Sequence, residues 1–265
     1  MADPLETFVR ITRDALVAAG LERVEHDGSV YFRGGADGGA NLVLLHGGND
    51  QAGTWSAIVP RLAQQYRLLV PDLAGHGESL PAEGPLPLQM IVDRLAAIVE
   101  REGIERATFV GNSMGGWVSM LYALANPSRV ERLVLEDSSG IAFPLSVPLF
   151  SRTREEAIVA LRAVHGPDAE IAEWMIEALL ARATSSPMLR VAEAGVLQHL
   201  LDARLPELAT PATLIWGRDD GVLPVAYAEA LHAKISGSTL RVIEGAAHIP
   251  HRQQPERFLE CLTAI

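Results

Sequence analysis

The sequence predicts an α/β protein built on one mostly parallel, eight-stranded sheet with helices on both faces and a helical cap insertion. Short apolar runs typical of buried strands alternate with helical segments in the first and last parts of the chain. From residue 138 to residue 208 this alternation stops, and a helix-rich stretch punctuated by prolines follows. We therefore expect a core of residues 1–137 and 209–265 and a helical cap of residues 138–208.

The composition indicates one large, soluble, globular domain. The chain has 265 residues, of which 48% are hydrophobic and 21% are charged. Its net charge of −11 argues against nucleic acid or an anionic membrane as a partner, because phosphate groups repel such a surface. The single cysteine, Cys261, cannot form an internal disulfide, and no paired Cys/His spacing predicts a metal site.

The N-terminal stretch predicts a cytoplasmic location. It carries acidic residues where a signal peptide carries basic ones. No apolar run reaches the roughly 18 residues that a membrane span needs. The oligomeric state stays open at this stage.

The first elements of the chain are a helix, a hairpin and a buried strand. Apolar spacing predicts a helix over residues 4–20, and Asp27-Gly28 between two strand-like runs predicts a hairpin. The apolar run 41–45 is typical of a strand covered on both faces. It ends in His46-Gly47-Gly48, where the glycines leave main-chain N–H groups open to bind an oxyanion.

A polar turn over residues 72–79 follows the next strand, residues 67–71. Asp72 and His76 offer an acid and a base there, but such turns more often use these side chains to hold their own backbone. We expect that structural role. The other predicted helices cover 55–64, 88–102, 117–126, 227–235 and 255–264, and the other strands cover 107–110, 130–137, 212–216 and 239–243.

The sequence Gly111-Asn112-Ser113-Met114-Gly115-Gly116 joins a predicted strand directly to a predicted helix. A strand that ends in Gly-x-Ser-x-Gly forces the serine into a strained turn, the nucleophile elbow, and exposes its hydroxyl. The N-terminus of the following helix stabilises negative charge that develops beside Ser113. The implied chemistry is nucleophilic attack by an alcohol.

A serine hydroxyl needs a nearby base, and the later strand ends supply one. His248 follows the last strand, and Asp219 and Asp220 follow the strand before it, at the same sheet edge. A histidine takes the serine proton, a carboxylate orients the imidazole, and backbone N–H groups hold the oxyanion. We expect Ser113 and His248 in these roles, with the N–H groups of Gly48 and Met114 as the oxyanion hole. Glu136 and Asp137, at the preceding strand end, are alternative acids.

These motifs resemble the α/β-hydrolase superfamily over nearly the whole chain. The matching pieces are Leu45-His46-Gly47-Gly48, residues 71–79, residues 111–116, Trp216-Gly217-Arg218-Asp219-Asp220 with Pro224, and Gly245 with His248. In that family the acid usually stands three residues after the glycine and four before the proline, which selects Asp220. Serine at the elbow argues against the haloalkane dehalogenase and epoxide hydrolase branches of that family, which have aspartate there.

The resemblance implies a serine esterase, that is, a carboxylesterase acting on small or medium esters through a Ser113-His248-Asp220 catalytic triad, without metal or cofactor. Gly-Asn-Ser-Met-Gly-Gly and His-Gly-Gly also resemble the branch that hydrolyses carbon–carbon bonds in ring-fission products, vinylogous diketo acids, and Arg182 matches that branch's substrate-binding arginine. A non-catalytic ligand-binding protein on the same fold is the third alternative.

The residues expected to contact the substrate lie in the cap and around the elbow. They are Gly47, Asn49, Asn112, Phe143, Trp174, Arg182 and Ile249. The cap also supplies an apolar lining, with Leu145, Val147, Leu149, Phe150, Met175 and Leu179. Without that resemblance, Arg182 and Arg190 are expected to face solvent. A small-molecule ester or related carbonyl compound is the expected partner.

Overall fold

The computed structural model describes residues 3–144, 147 and 150–263, and it contains one eight-stranded sheet. The strand order is β1-β2-β4-β3-β5-β6-β7-β8. The strands are Leu21–His26, Ser29–Gly35, Ala40–Leu45, Tyr66–Pro71, Ala107–Asn112, Val130–Glu136, Ala212–Gly217 and Thr239–Ile243, numbered β1 to β8. β1 pairs antiparallel with β2 and β2 with β4, and all later pairs are parallel. The predicted mostly parallel sheet is therefore confirmed.

Ten α-helices are found among the described residues. They are Pro4–Ala18, Val59–Leu62, Leu88–Arg101, Met114–Ala125, Arg154–His165, Glu173–Ala181, Pro187–Glu193, Val225–Lys234, Pro250–Gln253 and Pro255–Thr263, numbered α1 to α10. The helix predicted over residues 55–64 is instead a 3₁₀ turn, Ala52–Ala57, followed by the single turn of α2. Pro60 explains the break, because it lacks the N–H that a continuous helix needs.

The sheet is buried on both faces by alternating side chains of its central strands. On one face, residues such as Leu45, Phe109 and Trp216 pack in a cluster with α3, α4 and α8. On the other face, Leu44, Val110 and their neighbours pack with α1 and α10. Burial of both faces accounts for the near-continuous apolar runs in the sequence.

The N-terminal helix α1 is joined to the core by a buried ion pair. Arg13 contacts Asp72 through Nη2, and its Nε donates to Gln51 Oε1 at 3.1 Å. Asp72 also accepts hydrogen bonds from the backbone N–H groups of Ala52 and Glu78, at 2.8 and 2.9 Å. The Asp72 carboxylate therefore holds its own turn and anchors α1.

Helices α5, α6 and α7 lie between β6 and β7, in the stretch predicted as the cap. We call residues 138–208 the β6–β7 insert. Within its described part the insert contains helices and 3₁₀ turns but no strand. None of the helices in the described residues is both long and apolar enough to cross a membrane.

Candidate active site

Ser113 lies at a strained turn between β5 and α4. Its backbone has φ 51° and ψ −116°, a conformation that costs a non-glycine residue about 1–3 kcal/mol. Backbone hydrogen bonds hold it: Ser113 N donates to Glu136 O at 2.9 Å, and Ser139 N donates to Ser113 O at 3.1 Å. A Cβ on Gly115 would overlap the Leu45 carbonyl, so glycine allows β3 to pass close beside the turn.

Asp220 and His248 form a buried hydrogen-bonded pair at the same sheet edge. His248 Nδ1 donates to Asp220 Oδ2 at 2.8 Å, and Asp220 Oδ1 accepts from Val222 N and Leu223 N at 2.8 and 3.0 Å. Burial lowers the pKa of His248, but the charge and hydrogen bond of Asp220 outweigh it and raise that pKa above the ordinary 6.5. Asp219, the neighbouring acid, is exposed.

The elbow and the histidine loop are connected through Asn112. Its Nδ2 donates to the backbone oxygen of His248 at 3.0 Å, which fixes the histidine loop against the end of β5. No described residue hydrogen-bonds to Nε2 of His248, and the Ser113 hydroxyl is likewise without a partner among those residues. Both groups are therefore available for chemistry. Asn112, predicted to bind substrate, here positions the histidine loop.

The loop after β3 lies directly against the elbow. A Cβ on Gly47 would stand 3.3 Å from Ser113 Cβ and 2.8 Å from Asn112 Oδ1, so only glycine leaves room there. Met114 is the first residue of α4, where a backbone N–H has no acceptor within the helix. The loop is held by His46, whose Nε2 accepts from Leu73 N at 2.9 Å.

His76 takes no part in an acid–base pair with Asp72. Its Nδ1 donates to the Ala74 carbonyl at 3.0 Å, within its own turn. Burial, followed by the neighbouring His46, lowers the pKa of His76 to about 3, so the ring is neutral. The structural role expected from the sequence agrees with these contacts.

A second buried acid–histidine pair, Glu136–His251, lies close to the first. His251 Nδ1 lies 2.8 Å from Glu136 Oε2, and the Thr54 hydroxyl lies 3.1 Å from His251 Nε2. The ring of His251 packs on Trp55 with 4.2 Å between centroids. Sequence reasoning considered Glu136 as an acid but missed His251; a second histidine three residues after His248 was the available signal.

Asp137 is also buried here, behind Asp220. Asp137, Asp220 and His248 have nitrogen or oxygen atoms within 4.8 Å of one another, the one such group of three His, Cys or acidic side chains among the described residues. Both oxygens of Asp220 already accept hydrogen bonds. Asp220 is therefore committed to protein donors, and Asp137 stands close to it in the same buried site.

A cavity of about 220 Å³ lies between α1, the β6–β7 insert and the loop after β3. Three predicted substrate residues line it: Asn49, Trp174 and Arg182. Apolar side chains form most of the wall, and Arg252 and His165 add polar groups. Ser113 and His248 are outside its lining; the cavity approaches the elbow at Asn49, whose Oδ1 accepts from Met188 N at 2.9 Å.

The other four predicted substrate residues are outside this lining; Gly47 and Asn112 lie at the elbow, and Phe143 and Ile249 lie elsewhere. Phe143 packs on Tyr227 with 5.2 Å between ring centroids, and Ile249 is buried beside the histidine. Of the predicted cap lining, Phe150, Met175 and Leu179 also border the cavity, whereas Leu145 and Leu149 lie outside the described residues.

The expectation that Arg190 faces solvent is wrong. Its guanidinium is buried and donates to the carbonyl oxygens of Pro81, Ala82, Glu83 and Gly84, at 2.7–3.1 Å. Four carbonyl acceptors satisfy the charged donor without a carboxylate. This contact fastens α7 to the loop before α3.

The C-terminal end of α5 contacts the loops that carry the acid and the histidine. Gly221 N donates to Ala163 O at 3.0 Å, and His248 N donates to Val164 O at 3.1 Å. The last carbonyl groups of a helix have no N–H donor within the helix. The amides of Gly221 and His248 supply that donor here. The insert therefore helps to define where Asp220 and His248 stand.

Comparison with known proteins identifies relatives over most of the chain. A model described as the alpha/beta hydrolase family matches residues 42–260. The chain is 32% identical over 250 residues to the pimeloyl-[acyl-carrier protein] methyl ester esterase of Aeromonas hydrophila, covering 84% of this chain and 94% of that protein. It is 26% identical over 261 residues to the 2-hydroxymuconate semialdehyde hydrolase of Pseudomonas sp. CF600, covering 92% and 89%.

Solved structures agree with this relationship. A hydrolase from Pseudomonas aeruginosa PA01 superposes with a TM-score of 0.76 at 27% identity, covering 93% of this chain and 98% of that one. The similarity therefore extends over the sheet, its helices and the insert.

Proposed function

The chain belongs to the alpha/beta hydrolase family, and from that premise we propose that it is a serine hydrolase that cleaves carboxylic esters of small or medium size. The observation that carries the proposal is the Asp220–His248 hydrogen bond, held by Asn112 beside a strained Ser113. This arrangement provides an oriented imidazole whose loop is tied by Asn112 to the residue before Ser113, and the Ser113 side chain is half-buried at its turn.

The proposed reaction proceeds through an acyl-enzyme. His248 Nε2 takes the hydroxyl proton while Ser113 Oγ attacks the ester carbonyl, and Asp220 stabilises the resulting imidazolium. His248 then gives the proton to the leaving alkoxide, and the alcohol departs. Water, deprotonated by the same imidazole, releases the acid and restores Ser113.

We propose that the N–H groups of Gly48 and Met114 hold the oxyanion. Support comes from the contact of the Gly47–Gly48 loop with Ser113 and from the free amide at the start of α4. Met188 lies over Gly48, where an added Cβ would stand 2.9 Å from its sulfur, so α7 partly covers this half-buried position.

We assign the β6–β7 insert, residues 138–208, as a cap over a core of residues 1–137 and 209–265. Its cavity receives one side of the ester, because the lining is mainly apolar and reaches Asn49, two residues beyond Gly47. One of the relatives above is a methyl ester esterase, which agrees with hydrolysis of an ester with a small alcohol.

A labelling experiment tests the proposal. A fluorophosphonate probe is expected to label the wild-type chain but not Ser113→Ala, and p-nitrophenyl ester hydrolysis is expected to disappear in the same variant. Ser139→Ala is the matched control, since the hydrogen bond between Ser139 and Ser113 is made by the backbone N–H of Ser139, which alanine keeps. Equal labelling of wild type and Ser113→Ala would contradict the proposal, and failure of the probe to label the wild type would favour a ligand-binding protein.

A carbon–carbon bond hydrolase is the second candidate, and the position of Arg182 supports it. Arg182 and Arg252 both line the cavity, and neither forms an ion pair among the described residues. Two such guanidinium groups suit a substrate that carries a carboxylate. Turnover of a vinylogous diketo acid above that of an ester, with a raised KM in Arg182→Ala, would establish this candidate.

A further inference from the structure

The buried carboxyl group of Asp137 has one oxygen without a partner. Asp137 follows β6 and is fully buried, and its Oδ1 accepts from Gly217 N at 3.0 Å. Its Oδ2 is buried and has no hydrogen-bond partner among the described residues. Leaving a charged oxygen unpaired in the interior is unfavourable, whereas a protonated oxygen is a donor that needs an acceptor.

Asp220 offers an acceptor in the same buried site. Side-chain oxygen atoms of Asp137 and Asp220 lie within 4.8 Å of each other, and of a His248 nitrogen, in a buried site. Two carboxyl groups so close do not both ionise readily, because like charges repel strongly in a low dielectric. One of the two is therefore neutral when the other is charged.

The hydrogen-bond donors decide which acid keeps the proton. Asp220 accepts from Val222 N, Leu223 N and His248 Nδ1, and each donor stabilises its charged form. Among the described residues, Gly217 N is the one donor to Asp137. The proton therefore belongs to Asp137.

The backbone at Asp137 is also strained. Its φ is 41°, in the left-handed region that non-glycine residues seldom adopt. Asp137 N donates to Ile215 O at 3.1 Å, so β7 holds the strained residue in place. Strain of this kind collects at functional sites, where the surrounding structure supports it.

The charged groups that face Asp137 come from three elements. They are Glu136 on its own strand, Asp220 on the loop after β7 and His248 on the loop after β8. Burial, then the charge and hydrogen bond of Asp220, then the charge of Glu136, raise the pKa of Asp137 well above the ordinary 3.8. Glu136 is itself paired with His251.

We propose that Asp137 is a positioning residue that keeps its proton at neutral pH and donates a hydrogen bond to Asp220, so that a carboxylic acid–carboxylate pair stands behind His248. This inference rests on the proposed function, in which Asp220 orients His248. The hydrogen bond spreads the charge of Asp220, limits how strongly Asp220 favours the imidazolium and fixes the plane of the orienting carboxylate.

The test compares Asp137→Asn with Asp137→Ala through the pH dependence of kcat/KM. Asparagine reproduces the protonated acid: its oxygen accepts from Gly217 N, its amide donates to Asp220, and it tolerates positive φ. We expect Asp137→Asn to keep kcat/KM within about threefold and the acidic limb within about 0.3 pH units. Asp137→Ala removes the donor, concentrates the charge on Asp220 and moves the acidic limb to higher pH.

If Asp137 were ionised, the acidic limb of kcat/KM would move in the opposite direction in these variants. Its negative charge would itself favour the His248 imidazolium, so both variants would move the acidic limb to lower pH, which would overturn the inference. Asp219→Asn is the matched control, because Asp219 is exposed and its removal leaves the limb in place.

A spectroscopic measurement tests the proton without relying on turnover. The infrared difference spectrum of wild type minus Asp137→Asn at neutral pH is expected to show a protonated carboxyl C=O band. A carboxylate band in its place would overturn the inference. Because this measurement does not use Asp137→Ala, it tests the inference even if that variant fails to fold. Failure of the wild type to react with fluorophosphonate would instead count against the proposed function and leave the infrared result standing.

Discussion

Two acid–histidine pairs in this protein have the same local geometry but different surroundings. In Asp220–His248 and in Glu136–His251, Nδ1 lies 2.8 Å from a buried carboxylate oxygen. The Nε2 of His248 has no hydrogen-bond partner among the described residues, whereas that of His251 contacts the Thr54 hydroxyl at 3.1 Å. A carboxylate behind an imidazole therefore indicates a catalytic base only where the second nitrogen is left unused.

The largest expected effects separate these two histidines. His248→Gln is expected to lower kcat/KM by about 10⁴-fold or more, because the proton acceptor for Ser113 is removed. His251→Gln is expected to keep kcat/KM within about tenfold but to lower the free energy of unfolding by about 3 kcal/mol, since a buried acid loses its partner. Ester hydrolysis and urea unfolding measure both. A comparable loss of turnover in both variants would break the distinction.

The acids are expected to differ in a similar way. Asp220→Asn is expected to lower kcat by about 10³–10⁴-fold, because the imidazole is no longer held in its productive tautomer. Asp219→Asn, at an exposed neighbour, is expected to change kcat less than about twofold. Steady-state kinetics at saturating ester measure this, and equal losses would mean that the orienting acid is assigned wrongly.

The pH dependence is expected to follow His248. Since Asp220 raises the pKa of His248 above 6.5, kcat/KM is expected to fall as the pH drops through that raised value, tenfold per pH unit below it. Activity falls on the acidic side because the imidazole must be neutral to accept a proton. A kcat/KM profile recorded from pH 5 to 9 measures the limb; an acidic limb well below 6.5 would exclude a charged Asp220 beside the ring.

A smaller effect is expected at the structural histidine. Thr54→Val removes the hydroxyl beside His251 Nε2 with little change in volume. We expect the free energy of unfolding to fall by about 1 kcal/mol and kcat to stay unchanged. Thermal unfolding and ester turnover measure the two quantities. A change in kcat would show that the second pair takes part in catalysis.

Asp137→Asn provides the most delicate test, through stability. With its pKa raised in the fold, Asp137 binds more protons folded than unfolded above about pH 3.8, so wild-type stability falls as pH rises through that range. Asparagine does not titrate and avoids this loss. The variant is therefore expected to melt at a higher temperature than wild type at pH 7, with the difference shrinking toward pH 3. A lower melting temperature at pH 7 would contradict this expectation.

The sequence was sufficient for features that depend on local signals. The Asp27-Gly28 turn predicted the hairpin, and the spacing of apolar residues predicted α3 within a residue of its end. Both signals arise within a few neighbouring residues. The candidate triad was predicted because its members follow strands that the topology brings to one edge.

Specific contacts between residues far apart in the chain could not be predicted from the sequence. The contact of Glu136 with His251 spans 115 positions, and that of Arg190 with the 81–84 loop spans more than 100. No periodicity or turn motif encodes such a pairing, because each partner is ordinary in its own surroundings. Phe143, which was predicted to contact the substrate, shows the same limit, because an aromatic side chain in this part of the sequence is equally suited to packing on Tyr227.

The hydrogen bonds between α5 and the loops that carry Asp220 and His248 limit how the β6–β7 insert can be exchanged. Ala163 and Val164 supply acceptors to Gly221 and His248, so the helix that lines the cavity also holds the two loops to which we assign proton transfer. An exchange of this segment for that of another hydrolase would alter selectivity and base placement together. Useful chimeras would therefore retain the end of α5 and vary the segment beyond it.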